Sequence, residues 1–383
     1  MRALVVGAGA RENALVWALS RSPTVSHLYA GPGNAGTAQI THNLPDLDPL
    51  DPQAVLAECR KHAIDLALIG PEAPLAAGAV DVLDAAGIAA FGATRAAARL
   101  ESSNGAWCVK RDGLADGKGV LDSADPDALV AFARDGLEAG PILLEEHMSG
   151  PELSAFVLLN GGAREDYLLL PYCADYKKQH EGEMGLNTGG MGSFTPVPWI
   201  TDDLDRRIRT WIIDPTVEGM AEQGLSYRGV LYIGLMVTDD GPKVIEYNVR
   251  FGDPEAQALI PTLDTDLATL FEAVAAGRLP AAPRQRGAAV VVVVASGGYP
   301  ARYETGFSVD LPAVDPERGL IFHAGTRTRD GRVVTGGGRC FSSVGLGPDL
   351  AVAADHAYEL AERIRFHRGW YRRDIAAPYR SSR

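Results

Sequence analysis

The chain has 383 residues, 46% hydrophobic and 22% charged, with a formal net charge of −13. That balance excludes a disordered chain and points to two or three folded domains. The acidic excess argues against nucleic acid as the main partner, because neutralising a phosphate backbone needs a basic face; a small polyphosphate needs only a few local cations.

Even the apolar run AAVVVVVAS (Ala288 to Ser296) is of strand length, so no membrane span is expected. The opening MRALVVGAGA reads as a first strand rather than a signal peptide. Cys59, Cys108, Cys173 and Cys340 are widely spaced and form no CxxC, which predicts free thiols in a reducing cytoplasm.

The first hundred residues alternate strands and helices. RALVVGAGA is a buried strand entering a glycine turn, and RENALVWALSRS has helical periodicity. VSHLYAGPG is a strand, DPQAVLAECRKHA a helix, IDLALIGPE a strand, LAAGAVDVLDAAG a helix and IAAFGA a short strand. This rhythm predicts a doubly wound parallel sheet with ligands at the carboxyl ends of its strands.

Beyond it, a strand carrying Lys110 runs into a glycine loop, and DPDALVAFARDGLEA follows as a helix. PILLEEHMSGPELSAFVLLNGG reads as strand, turn, strand, and YLLLPYCADYKKQ as a further strand. EGEMGLNTGGMGSFTPVPW is so rich in Gly and Pro that a loop wrapping a site is expected. TDDLDRRIRTWIIDPTVEGMAEQG reads as one long helix. YRGVLYIGLMVTDDGPKVIEYNVRFG is a hairpin turning at Asp240-Gly241. The remainder is β-rich and ends in the helix DLAVAADHAYELAERIRF.

Several stretches carry chemistry. GAGARENAL places Gly-x-Gly where backbone amides hold phosphate, but Glu12 occupies the third glycine position and no acid ends the second strand, which argues against a nicotinamide cofactor. In GPEAPL, Glu72 is either a ligand for sugar hydroxyls or a solvated turn carboxylate. VKRDGLADGKGV offers Lys110, Gly117, Lys118 and Gly119 to phosphate oxygens without the spacing of a Walker A loop; a surface hairpin is the alternative.

LLEEHMSGPE offers a strand break for a base and Glu152 for a ribose, and by itself is equally a solvated hairpin. In KVIEYNVRFGDPEAQ, Glu246 and Asn248 lie two apart on a strand and share a face. Two oxygen donors suit Mg²⁺, which takes its other ligands from water and phosphate. Arg250 follows on that face as a fork for an anion, with Asp253 and Glu255 in the loop beyond; a solvent-exposed polar face is the alternative, and the strand's length and sharp Gly-Asp-Pro exit favour a site. NTGGMGSFTP supplies small residues and amides, for a substrate or for a structural loop.

Taken in order, these motifs, with GPGNAGTA, DYKK, GVLYIGLM, ASGGYPARYETG, FHAGT, VVTGGGR and WYRRDI, resemble the phosphoribosylamine–glycine ligase family of ATP-grasp enzymes over nearly the whole chain. The resemblance implies an α/β ATP-grasp fold in four parts. These are a parallel α/β domain over 1–103, a shortened small lid over 104–170, a large subdomain with the metal site over 171–285 and an α+β domain over 286–383.

It implies ATP with Mg²⁺ or Mn²⁺, the small-molecule substrates glycine and phosphoribosylamine, and a monomer or homodimer. Glu246 and Asn248 would hold the metal, with Arg250, Asp175 and Lys177 at the reaction centre. Adenine would lie near Glu145, Glu146, His147 and Met148, ribose near Glu152, and the phosphates near Lys110, Gly117, Lys118 and Gly119. Gly9, Glu12, Asn34, Glu72, Asn187, Gly189, Gly190, Asp253, Arg372 and Arg373 would face the substrates.

The chain departs from the family pattern at Asn13, Ala174 and Gly337. After LESS, Asn104 stands in place of a lysine and a few dozen residues of the lid are absent. Those departures leave a divergent acid–amine ligase, or an ATP-binding homologue without turnover, as the alternatives.

Overall fold

The computed structural model describes residues 1–92, 107–111, 120–122, 131–133, 135, 142–146, 148–161 and 167–380. The expected parallel sheet is present, with five strands in the order 42–43, 27–32, 2–7, 66–69, 89–91. Its central strand Arg2–Gly7 is buried over five of its six residues, as a strand covered on both faces must be. The flanking helices include Ala10–Ser20 and Pro52–Lys61, the latter capped by Asp51, which accepts from the Gln53 amide at 2.9 Å.

The helix expected across LAAGAVDVLDAAG is two helices, Glu72–Ala77 and Ala79–Ala85. Gly78 between them has φ of 93°, a left-handed geometry that ends a helix and that glycine adopts without strain. The long helix expected from Thr201 runs as Asp202–Ile208, a π turn over Arg209–Ile213, and Asp214–Glu222.

The second sheet is antiparallel and has nine strands. Its order is 241–248, 228–238, 152–160, 173–180, 184–195, 288–295, 339–347, 319–323, with 167–169 paired to 152–160. It crosses two of the expected divisions. Glu152–Asn160, placed by sequence in the small lid, lies inside this sheet, and the sheet continues unbroken from 184–195 into 288–295. The described part of the lid is a three-stranded sheet ordered 120–122, 107–111, 142–146.

The glycine-rich segment expected to be a loop is instead the twelve-residue strand Met184–Thr195, in the interior of the large sheet. Its glycines make room for neighbours rather than breaking the strand: a side chain on Gly192 would lie 2.7 Å from Ile375. On its far side Ala288–Ala295 is wholly buried, and helix Leu350–Arg363 packs against it and against Arg339–Gly347. Cys59, Cys173 and Cys340 are buried free thiols.

Candidate active site on one face of the large sheet

The strand register collects the chemistry-bearing residues. Cys173 lies opposite Ser154, Ser154 opposite Gly234, and Gly234 opposite Glu246. Residues directly opposite share a face, as do residues two apart on a strand. One face therefore carries Glu246 and Asn248, then Tyr232, then Glu152 and Ser154, then Asp175 and Lys177.

Lys177 is the hub of this face. Its Nζ donates to Asp175 Oδ2 at 2.6 Å and to Glu152 Oε2 at 3.0 Å, and lies 3.4 Å from the Tyr232 hydroxyl. Burial alone would lower its pKa, but Asp175, Glu152 and the more distant Glu246 outweigh that and hold the ammonium well above its ordinary value. Asp175 also accepts from the Tyr176 amide at 2.7 Å; burial raises its carboxyl, and Lys177 only partly offsets this.

Glu246 is exposed and Asn248 half-buried at the end of strand Gly241–Asn248. Neither side chain has a hydrogen-bond or ion-pair partner among the described residues, so their oxygens are open to a ligand. Also among the described residues, no group of three or more His, Cys, Asp or Glu could hold a metal unaided. A two-oxygen pair fits a hard cation that completes its shell with phosphate and water.

The ends of the parallel strands meet this face at a buried cluster of alternating charge. Arg250 pairs with Glu72 at 2.5 Å, and its Nε is buried without a partner among the described residues. Burial would raise Glu72, but Arg250 and Arg11 hold it below the usual range. Arg11, which the sequence reading passed over inside GAGARENAL, donates to Glu12 at 2.6 Å and to the Phe251 carbonyl at 3.1 Å. Glu12 is 1% exposed; its other oxygen accepts from the Gly9 amide at 2.6 Å, so the carboxylate lies beneath the turn.

Arg339, inside TGGGR, is a second such arginine. It donates to the carbonyls of Gly189, Gly190 and Asp253, and lies 3.2 Å from Asp253 Oδ1. Burial would raise Asp253, but Arg339 and then Arg11 hold it below its ordinary value. Gly189 is further held by the Tyr299 hydroxyl, which accepts from its amide at 3.0 Å. Neither arginine has a local signal: each matters because of what a distant segment brings to it.

Other expected site residues fall elsewhere. Asn34 is buried and uses its side chain within the fold: it donates to Ala8, Gly9 and His323 carbonyls and accepts from the Gly36 and Thr37 amides. Asn13, one of the departures, accepts from the His323 amide at 2.8 Å and so ties the first domain to the last.

Arg372 has no exposed side-chain surface and donates to Asp374, Glu183 and the Lys178 carbonyl, pinning the C-terminal tail to the 173–195 hairpin. Arg373 is exposed, with its guanidinium 5.5 Å from the Tyr371 ring centroid. Asn187 lies opposite Lys178. On the lid side, Lys110 lies on strand Trp107–Arg111, Glu145 and Glu146 on Ile142–Glu146, and Met148 follows half-buried. Gly117, Lys118, Gly119 and His147, and the side chains of Lys110 and Glu146, lie outside the described residues.

A parallel α/β domain, a small three-stranded sheet and a large antiparallel sheet bearing an acid–amide pair define an ATP-grasp ligase. The fold is that of the biotin carboxylase domain of Hydrogenobacter thermophilus 2-oxoglutarate carboxylase, solved with MgADP, at a TM-score of 0.69 and 14% identity over 97% of this chain and 91% of that one. More particularly, the chain belongs to the phosphoribosylglycinamide synthetase family, also named phosphoribosylamine–glycine ligases. The family's N domain matches residues 1–101, its ATP-grasp (A) domain 85–256 and its C domain 289–378.

The phosphoribosylamine–glycine ligase of Mycobacterium tuberculosis is 40% identical over 419 aligned positions, covering 98% of this chain and 97% of that protein. That of Thermotoga maritima has a solved structure with a TM-score of 0.82 and 32% identity, covering 98% of this chain and all of that one. The trifunctional purine biosynthetic protein adenosine-3 of Gallus gallus is 38% identical over 98% of this chain, which corresponds to 42% of its length. The alignment of 419 positions exceeds the 383 residues of this chain, so the mycobacterial relative carries residues without a counterpart in it.

Proposed function

We propose that this chain ligates glycine to 5-phosphoribosylamine with ATP, giving glycinamide ribonucleotide, ADP and phosphate. The observation that carries the reading is the sheet face that sets Glu246 and Asn248 beside Lys177, Asp175 and Glu152. The glycine carboxylate attacks the γ-phosphorus of ATP, the bond to the β-phosphate oxygen breaks, and ADP leaves. The amine of phosphoribosylamine then attacks the acyl carbon of the glycyl phosphate; the bond to phosphate breaks and the nitrogen gives up a proton.

No protein nucleophile is needed, so the residues act by position and charge. Lys177, Arg250 and the lid residues Lys110 and Lys118 balance phosphate charge as it moves. Mg²⁺ or Mn²⁺ held by Glu246 and Asn248 would supply the charge neutralisation that phosphoryl transfer requires. The adenosine lies between the two sheets, along Glu145–Met148 and Glu152. The phosphorylated amine lies against the first domain, near Gly9 and the Glu72–Arg250 pair. Glycine lies near Gly189, Gly190 and Asp253.

A coupled ADP-release assay with freshly made phosphoribosylamine tests this. Turnover is expected only with both glycine and the amine present, and a loss of about 100-fold or more in kcat is expected for Lys177→Met. ADP release with another acid–amine pair but not with this one would assign the chain to a divergent ligase. Tight Mg·ATP binding without any turnover would make it a binding homologue.

A further inference from the structure

The hydrogen bonds that hold Lys177 do not stop at its neighbours. The Tyr232 hydroxyl lies 3.4 Å from Lys177 Nζ and 3.2 Å from Ser154 Oγ, and Ser154 Oγ lies 2.8 Å from Glu255 Oε1. Tyr232, Ser154 and Glu255 are 2%, 1% and 3% exposed, so water does not reach the chain they form. Donor counts show where it is contested. An ammonium only donates, so Lys177 donates to Tyr232. Ser154 has one hydrogen and two acceptors, Glu255 at 2.8 Å and the Tyr232 hydroxyl oxygen at 3.2 Å, so the carboxylate competes for it with the same oxygen that receives Lys177. The chain ends on an acceptor oxygen at the first residue of helix Glu255–Leu259.

We propose that Glu255 is a positioning residue for the ligation reaction, fixing the Nζ of Lys177 against the ATP phosphates through Tyr232 and Ser154. The proposal rests on the assignment of Lys177 to those phosphates. A carboxylate buried so completely is costly, and one that draws the Ser154 hydrogen away from the tyrosine oxygen facing a reaction-centre lysine has a task that an apolar side chain could not perform.

The titratable and charged groups facing Glu255 are Cys173, Asp175 and Lys177 from strand 173–180, Tyr232 from strand 228–238 and Arg339 from strand 339–347. Arg11, on the neighbouring helix Ala10–Ser20, turns to Glu12 and the Phe251 carbonyl, and Asp253 turns to Arg339. Burial, seconded by Asp175, pushes the Glu255 carboxyl up to about 7, while Lys177 and the Ser154 hydroxyl oppose. Glu255 is thus charged above about 7 and neutral below. Charged, it accepts from Ser154 a bond roughly twice as strong as the neutral one. As pH rises through that value the charged carboxylate keeps the Ser154 hydrogen and leaves the Tyr232 oxygen to Lys177.

Glu255→Gln keeps the shape and an acceptor oxygen but removes the titration; Ser154→Ala and Tyr232→Phe cut the chain without touching Glu255. Each is compared with the unaltered protein by ADP release and by Mg·ATP calorimetry, from about one pH unit below to about two above the inflection expected near 7. In the unaltered protein kcat rises to a plateau through that inflection. In Glu255→Gln the inflection disappears and kcat falls about tenfold, with the KM for glycine within about twofold; the other two variants flatten it likewise. An inflection that persists in Glu255→Gln overturns the proposal. If that variant does not fold, an unshifted profile in both Ser154→Ala and Tyr232→Phe overturns it. Should the chain bind Mg·ATP but show no ligase activity, the reaction assigned above fails, and the proposal is decided by whether binding steps with pH in the unaltered protein and loses that step in the variants. Binding that does not change with pH overturns it.

Discussion

Arg339→Met replaces a guanidinium by an apolar chain of similar length and strands everything that guanidinium holds. The carbonyls of Gly189, Gly190 and Asp253 lose a donor, and the Asp253 carboxylate loses its nearest cation. Removing one partner of a fully buried pair costs about 3–5 kcal/mol. The two side chains are 23% and 17% exposed, and Arg11 and the Gln257 amide, 3.0 Å away, remain beside Asp253, so a loss of about 2–3 kcal/mol is expected. A double-mutant cycle with Asp253→Asn, read by urea unfolding, should return a coupling of about 1–2 kcal/mol.

Its pH dependence follows from the depressed Asp253 carboxyl. A lowered folded pKa contributes stability that is present above the unfolded value, about 3.9, and is lost as pH falls through the folded one. The coupling should therefore be flat from about pH 8 to about pH 5 and shrink only below about 4. A coupling under about 0.3 kcal/mol at neutral pH, or one that declines between pH 8 and pH 5, would refute the reasoning.

Glu246→Ala removes half of the open oxygen pair and should abolish ADP release while leaving the urea midpoint nearly unchanged, because that side chain is exposed and unpaired among the described residues. His323 is 3% exposed, and burial pulls its imidazole down to about 4, so it is neutral in the folded protein. The unfolded chain takes up that proton first, and stability should fall as pH drops from about 6.5 toward 4 by roughly 2–3 kcal/mol more than in His323→Gln, measured by urea melts at each pH. Gly345→Ala would drive a methyl into the Ala353 carbonyl and the Ala357 amide of helix Leu350–Arg363, and should lower the melting temperature or yield insoluble protein. An unchanged melting temperature would mean the helix sits further from the sheet.

Short-range order was legible wherever neighbours in sequence share an environment. The alternation of the first ninety residues and the hairpin ending in Glu246 and Asn248 both depend on residues within a few positions of each other. The acid–amide pair could be read as one face because strand periodicity is itself local.

What the sequence determined by itself was therefore the elements with a clear local periodicity, the order of the motifs and the membership they imply. Only the tertiary structure decided where polar and glycine-rich segments go. Met184–Thr195 reads as a loop until strands 173–180 and 288–295 pair with it and Ile375 and Arg339 fill the space its glycines leave. Arg11, Arg339 and Glu255 gain their partners only when chain segments more than a hundred positions away bring them Phe251, Gly189 and Ser154. A buried charge is tolerated only where opposite charges and hydrogen-bond partners converge on it, and that convergence is a property of the packed sheets, not of any stretch of sequence.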